Sequence, residues 1–290
     1  KITETRGDVK EFKLLKTSVE EFRPDFIFHL AAQPIVSLSY SDPLTTINTN
    51  ILGVGNILEV TRHLEHKCVL VVITSDKCYE NVEWVWGYKE TDPMGGKDIY
   101  SASKGAAEII FSAYLRSFFE SGNLIGAAST RAGNVIGGGD WAVDRLIPDC
   151  IRSIEKNLPI EIRNPLATRP WQHVLEPLSG YILLSAKLRD NPKKFSGSWN
   201  FGPSSSEVRT VNEVASKIIH HLGKGKIEIT GASDQHHEAM LLQLNCDKSH
   251  QMLKWEPRWR VEETLKYTAE WYKKVLDGKS AEDITKLQVY

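Results

Sequence analysis

The sequence lacks a long hydrophobic run, an excess of either charge and any paired cysteine motif. Its longest aliphatic run, Val69–Ile73, is far short of the ~20 residues that span a bilayer, so no membrane partner is expected. The residues up to Lys16 are charged and contain no apolar core of a secretory signal. Lys plus Arg is 36 against 37 Asp plus Glu, a net charge of −1. Such a chain has no global attraction for nucleic acid or anionic lipid, and an anionic ligand must be met by a local cluster. The four cysteines, Cys68, Cys78, Cys150 and Cys246, have neither metal-knuckle nor redox spacing. Reduced thiols in a cytoplasmic protein and no metal site are the expectation.

What is present is an ordinary globular composition, 41% apolar and 25% charged over 290 residues. That length suits one large domain or two ordinary ones. Short unalternated apolar runs at 26–30, 69–74 and 124–130 read as strands of a parallel sheet covered on both faces. Between them lie helical patterns. One follows the start signal Ser41-Asp42-Pro43 and runs through Ile47, Ile51, Val54 and Leu58 to about His63. The other spans about Tyr100 to Phe119, with Ile109, Ile110, Ala113 and Phe118 on its apolar side. The fold class expected is therefore α/β, a doubly wound Rossmann-like parallel sheet.

After about Asn134 the character changes. Gly137-Gly138-Gly139 reads as a flexible break, and prolines then punctuate short elements. A helix is expected over 211–222, a strand over 226–230 and a terminal helix over 261–275. The domains expected are 1–134, binding a dinucleotide, and a smaller substrate domain over 135–290, with segments around 171–200 crossing back to the sheet. One part of a dinucleotide fold is not found: a strand, a Gly-rich turn and a helix whose N-terminus holds pyrophosphate. Gly137–Gly139 comes too late, and Gly53 and Gly55 lie inside a helical pattern. About two βα units, roughly 60 residues, are expected to precede Lys1 in a longer parent protein.

Three clusters carry chemistry. Tyr100 and Lys104, four apart on a helix, share a face. A phenol titrates near 10, and a fixed ammonium beside it favours the phenolate. Lowering that value by ~3 units takes ~4 kcal/mol, within reach of Lys104, a nicotinamide cation and a helix N-terminus together. The same spacing also arises by chance on solvated helices. Thr74-Ser75-Asp76-Lys77 stands at the C-terminal end of a strand, where ligands bind in open α/β sheets. It offers a hydroxyl, a carboxylate and an amine, or it is simple turn chemistry. His29-Leu30-Ala31-Ala32-Gln33 ends another strand, and its alanines would let a flat ligand approach the backbone, or would merely pack a helix on the sheet.

With Tyr100-x-x-x-Lys104, Ser75 and the His29–Ala32 strand end, the chain resembles the extended short-chain dehydrogenase/reductase family. Residues 29–43 (HLAAQPIVSLSYSDP), 74–81 (TSDKCYEN), 86–104 (WGYKETDPMGGKDIYSASK), 131–149 (RAGNVIGGGDWAVDRLIPD) and 169–174 (RPWQHV) resemble the CDP-glucose 4,6-dehydratases within it. The likeness runs nearly end to end. Asn245 stands where that pattern leads one to expect Asp.

The resemblance implies tightly held NAD, recycled in each turnover. It implies Tyr100 as base for the sugar 4-hydroxyl, helped by Ser75 and Lys104, and Asp76 as acid for the departing 6-hydroxyl. Lys77 occupies the place where dTDP-glucose relatives carry Glu. It would serve as C5 base only when neutral, and otherwise would stabilise the enolate. Asp8, Val9, Leu30, Ala31, Ala32, Gln33, Asn50, Tyr100, Lys104 and Arg131 are expected along the cofactor. Gln33, Asn134, Arg145, Arg169 and His237 are expected along CDP-glucose, with Arg169 as the diphosphate clamp because its planar fork matches phosphate oxygens. Trp141 and Trp171 either stack on the substrate or pack in the core.

The activity implied is a cytoplasmic hydro-lyase of deoxysugar and lipopolysaccharide synthesis, working as a homodimer through helices 44–63 and 100–119. Two rivals stand beside it. A nucleotide-sugar 4-epimerase would share Tyr100, Lys104 and Ser75 but would not need Asp76 and Lys77. A non-catalytic nucleotide-sugar binder would need none of them.

Overall fold

A computed structural model describes residues 2–231 and 239–290, which form two compact units. The first comprises residues 1–81, 89–131 and 180–200. Its centre is a parallel sheet with strands Phe26–His29, Cys68–Ile73, Ile125–Arg131 and Gly197–Asn200 in that spatial order. Phe26 pairs with Val69, Cys68 with Ile125, and Ala128 with Gly197. The two central strands are buried along almost their whole length, which explains why their sequences do not alternate. Val54, Ile57 and Leu58 from one helix and Ala107, Phe111 and Leu115 from another pack on Leu70, Val72 and Ala127.

The expected helix after Ser41-Asp42-Pro43 forms. The Asp42 carboxylate accepts a hydrogen bond from the Thr45 amide at 3.1 Å, and Pro43 takes the first helical position. The helix runs Pro43–Ile47, widens into a π turn at Asn48–Leu52 and resumes over Gly53–Arg62. Asp98 caps Ile99–Tyr114, accepting from the Ser101 amide at 2.9 Å. In that helix the expected apolar side is corrected. Ile109 and Ala113, with Phe118 in the π turn Leu115–Phe119 that follows, face outward, while Tyr100, Ser103, Lys104, Ala107, Glu108 and Phe111 are buried. Hydrophobicity misleads here because the inward stripe carries polar groups that hydrogen-bond or serve a site.

The second unit comprises residues 82–88, 132–179 and 201–290. Helices Leu146–Glu155, Val211–Leu222 and Val261–Leu276 close around Ile147, Ile151, Ile160, Val214, Ile218, Leu265 and Tyr272. A short parallel pair joins Ile160–Ile162 to Ile227–Ile229. Thr210 and Glu213 form a reciprocal capping box at the start of the helix over 211–222. The glycine run 137–139 is not a flexible break. A Cβ built on Gly138 would lie 2.0 Å from the Trp271 ring, so glycine is there to let an indole pack on the backbone. Trp171 lies in this core and donates its indole N–H to the Arg209 carbonyl at 3.1 Å. All four cysteines are free and buried. No helix among the described residues is long and apolar enough to cross a membrane.

Candidate active site

Strand Cys68–Ile73 leads into Thr74 and Ser75. Ser75 is extended and caps a single tight turn, Asp76–Cys78, its Oγ accepting from the Lys77 amide at 3.2 Å. The same Oγ donates to Asp76 Oδ1 at 3.0 Å. Asp76 is buried and Lys77 half-buried. Among the described residues the Lys77 ammonium has neither hydrogen bond nor ion pair.

Helix Ile99–Tyr114 packs on this turn at very short range. A Cβ on Gly105 would lie 2.9 Å from the Gly95 carbonyl oxygen and 3.1 Å from that of Cys78. Tyr100 and Lys104 are thereby carried beside Ser75–Cys78, both buried. Lys104 Nζ stands 6.0 Å from the centre of the Tyr100 ring and makes no hydrogen bond among the described residues. Burial pulls the Lys104 ammonium down to about 8, opposed by the Glu108 carboxylate. His29, at the end of its strand, is 6% exposed and its Nε2 has no partner. Burial first, and the Lys104 charge second, hold it down at about 4, so the imidazole is neutral.

The segment after His29 splits in character. Leu30 and Ala31 are exposed and Ala32 half-buried, but Gln33 is turned inward. Its amide donates to the Ile35 carbonyl and to Thr46 Oγ1 and accepts from the Ile35 amide. Gln33 therefore shapes the loop through its own side-chain hydrogen bonds. Asn50, in the π turn, accepts from the Gln33 amide at 2.8 Å and donates to the Gln33 carbonyl and to Ser103 Oγ. It clasps the loop to the helix of Tyr100 and Lys104. Asp8 accepts from the Lys10 amide at 2.9 Å and pairs with its ammonium at 3.2 Å. Backbone hydrogen bonding from Lys10 lowers its carboxyl below the usual range. The Val9 carbonyl accepts from Asn56. Arg131 is interior, paired with Glu108 at 2.6 Å and bonded to Tyr79 Oη at 2.7 Å. Its side chain serves the core.

In the second unit, Asn134 takes a left-handed backbone, φ 40°, and its carbonyl accepts from the Gln172 amide. Arg145 pairs with Asp140 at 2.8 Å on a half-exposed surface. Arg169 is 5% exposed and donates to the Thr168 and Met240 carbonyls. Trp141 is largely exposed, its ring set edge-on to Tyr272 at 5.2 Å. His237 lies outside the described residues.

The family model of GDP-mannose 4,6 dehydratase matches residues 1–268. The chain belongs to that family. It is 48% identical over 276 residues to a CDP-glucose 4,6-dehydratase of Salmonella typhimurium, covering 94% of this chain and 77% of that protein. A dTDP-glucose 4,6-dehydratase of Haemophilus influenzae is 24% identical, over 91% and 81%. Among solved structures, a dTDP-glucose 4,6-dehydratase of Bacillus anthracis in complex with NAD is 25% identical with TM-score 0.77, covering 93% of this chain and 79% of that one. A UDP-glucose 4-epimerase of Thermotoga maritima shares the fold at TM-score 0.80 and 21% identity, over 94% and 84%.

For a member of the GDP-mannose 4,6-dehydratase family, the sequence reading missed one centre. Glu108 is buried between Thr74, Ser129, Arg131 and Ser198. Its signal was available: a carboxylate four residues beyond Lys104 lies on the same helix face. Buried in a helix that reads as apolar there, it had to have cationic company.

Proposed function

We propose that the protein is an NAD-dependent nucleotide-sugar 4,6-dehydratase acting on CDP-glucose. The observation that carries this is the 48% identity to a CDP-glucose 4,6-dehydratase over 94% of the chain, together with Asp76 and Lys77 beside Tyr100. A 4-epimerase has no use for that acid and amine.

The residues fit a dinucleotide. One buried atom, His29 Nε2, has no partner and the neighbouring Lys104 Nζ makes no hydrogen bond among the described residues, and buried polar groups are normally satisfied. Ribose hydroxyls would meet the Lys104 ammonium, Asp8 would meet an adenine amino group, and Leu30–Ala32 would lie along the cofactor. When bound, NAD would supply the hydride acceptor for C4 and the hydride donor for C6.

Tyr100, as phenolate beside Lys104, accepts the proton of the 4-hydroxyl, while Ser75 holds that oxygen. The 4-ketone so formed acidifies the C5 proton. Lys77, as the free amine, takes the C5 proton and, as the resulting ammonium, stands beside the enolate. Asp76 protonates the 6-hydroxyl, the C6–O bond breaks and water leaves. A proton returns to C5, and the sugar has lost one water with no net redox change. Arg169 is read as the diphosphate clamp, with Asn134, Arg145 and His237 along the sugar nucleotide.

The setting follows from the same reading. Four free cysteines suit a reducing cytoplasm, and a 4-keto-6-deoxy sugar feeds deoxysugar and lipopolysaccharide assembly. The outward Leu44, Leu52, Ile109 and Phe118 support a homodimer through helices 44–63 and 100–119. The domain division is read as dinucleotide binding in the first unit and substrate binding in the second.

The test is incubation with NAD and CDP-glucose, followed by mass analysis of the sugar nucleotide. Loss of one water is expected. An unchanged mass with an altered C4 configuration would instead indicate an epimerase, and binding without conversion a non-catalytic protein.

A further inference from the structure

Glu108 is 2% exposed and sits one helical turn beyond Lys104 and two beyond Tyr100. Its Oε1 accepts from Thr74 Oγ1 at 2.5 Å, and Thr74 is the residue before Ser75. Its Oε2 accepts from Arg131 Nη2 at 2.6 Å, Ser129 Oγ at 2.7 Å and Ser198 Oγ at 3.2 Å. One carboxylate thus ties the helix of Tyr100 and Lys104 to two strands of the sheet, Ile125–Arg131 and Gly197–Asn200, and to the segment that follows Cys68–Ile73. Arg131 carries the connection on, donating to Tyr79 Oη at 2.7 Å, and Tyr79 Oη donates to Asn200 Oδ1 at 2.7 Å. The tight turn Asp76–Cys78 therefore lies between two held points, Thr74 and Tyr79.

We propose that Glu108 is a positioning residue, setting Tyr100 and Lys104 in register against Ser75 and Asp76. The reading of this site as a 4,6-dehydratase centre underlies the proposal. A buried ion pair by itself is weak evidence of such a role, since many can be replaced by apolar groups without loss. The Thr74 bond makes the difference. It joins the two segments that must present an acid and a base to one sugar ring, and it is distinct from the Arg131 pair. Displacement of reacting groups by about 1 Å costs on the order of 10²-fold in rate.

The deciding variant is Thr74→Val, which deletes that hydroxyl and leaves the Glu108–Arg131 pair in place. Thr74→Ser, which keeps it, is the rescue. Expected for Thr74→Val are a cooperative unfolding transition, a KM for CDP-glucose within about 3-fold of wild type, and kcat lowered by roughly 10- to 100-fold. The isotope effect with C4-deuterated substrate rises as hydride transfer becomes slower, and Thr74→Ser restores both values. Glu108→Gln, where it folds, gives the larger loss. Folded Thr74→Val with kcat within 2-fold of wild type and an unchanged isotope effect would overturn the proposal and leave Glu108 as core structure alone. If wild-type protein fails to dehydrate CDP-glucose, the dehydratase reading fails first. NAD affinity, measured directly on the ligand-free proteins, then still reports whether Thr74→Val displaces Lys104, and equal affinity again counts against the proposal.

Discussion

Asp76 and Lys104 show how burial sets chemistry one side chain at a time. Asp76 is oriented by Ser75, whose hydroxyl both caps the turn and bonds its carboxylate. Asp76→Asn keeps the shape and removes the acid. Dehydration is expected to fall by about 10²- to 10⁴-fold, the range for a general acid, while oxidation at C4 persists. Rapid-mixing absorbance of the reduced cofactor checks this: a loss of the oxidation step as well would move Asp76 out of the elimination. Lys104 is held at about 8, below its ordinary 10.5, chiefly by burial. Below 8 both folded and unfolded chains carry the proton, and the folded one bears a buried charge. Between 8 and 10.5 only the unfolded chain binds it, so stability rises with pH. Lys104→Met should abolish turnover yet raise the Tm of the ligand-free protein at pH 7, by a free energy on the order of 3 kcal/mol. That advantage should shrink towards pH 10. An unchanged or lowered Tm at pH 7 would refute it.

Elements are positioned by what they omit as much as by what they carry. Gly105 sits mid-helix, where alanine is normally favoured by about 1 kcal/mol. With the Gly95 and Cys78 carbonyls at 2.9 and 3.1 Å from a built Cβ, the sign reverses. Gly105→Ala should lower Tm and reduce kcat at least 10-fold, as thermal unfolding and steady-state rates will show. A more stable, fully active variant would mean the helix has room to slide. The same pair of segments shows what the sequence could reveal. That Ser75 and Asp76 follow a strand, and that Tyr100 and Lys104 share one helix, was legible from pattern and spacing alone. The strands over 68–73 and 125–131 were legible because both faces are buried. The orientation of the helix over 99–114 was not, because its inward face holds Tyr100, Lys104 and Glu108. Nor was the inward turn of Gln33, fixed by Asn50 and Thr46, which stand 17 and 13 residues away. The glycine run at 137–139 misled because a missing Cβ signals flexibility and close packing alike.

At the scale of the molecule, each unit carries, among the described residues, one buried histidine held neutral. His29 in the first and His173 in the second are both held at about 4 by burial. Their folded values lie below the ordinary 6.5, so the stability they contribute is complete above 6.5 and lost as pH falls towards 4. Unfolding near pH 5 should take up about two protons more than unfolding near pH 8, carboxylates aside. Replacing both histidines by Gln should flatten that limb of the stability curve.

The cysteines give this molecule an internal gauge. Cys68 and Cys78 lie in the first unit, Cys150 and Cys246 in the second. Burial pushes the thiols of Cys68 and Cys150 up to about 12 and holds that of Cys78 well above its ordinary value. In the native state they are neither reached nor ionised, so an alkylating reagent reacts only when the surrounding structure opens. Alkylation followed by peptide mass analysis then clocks the opening of each unit separately, with no label introduced. Saturating NAD should slow the modification of Cys78 more than that of Cys150, and equal slowing at both would show that the two units open as one.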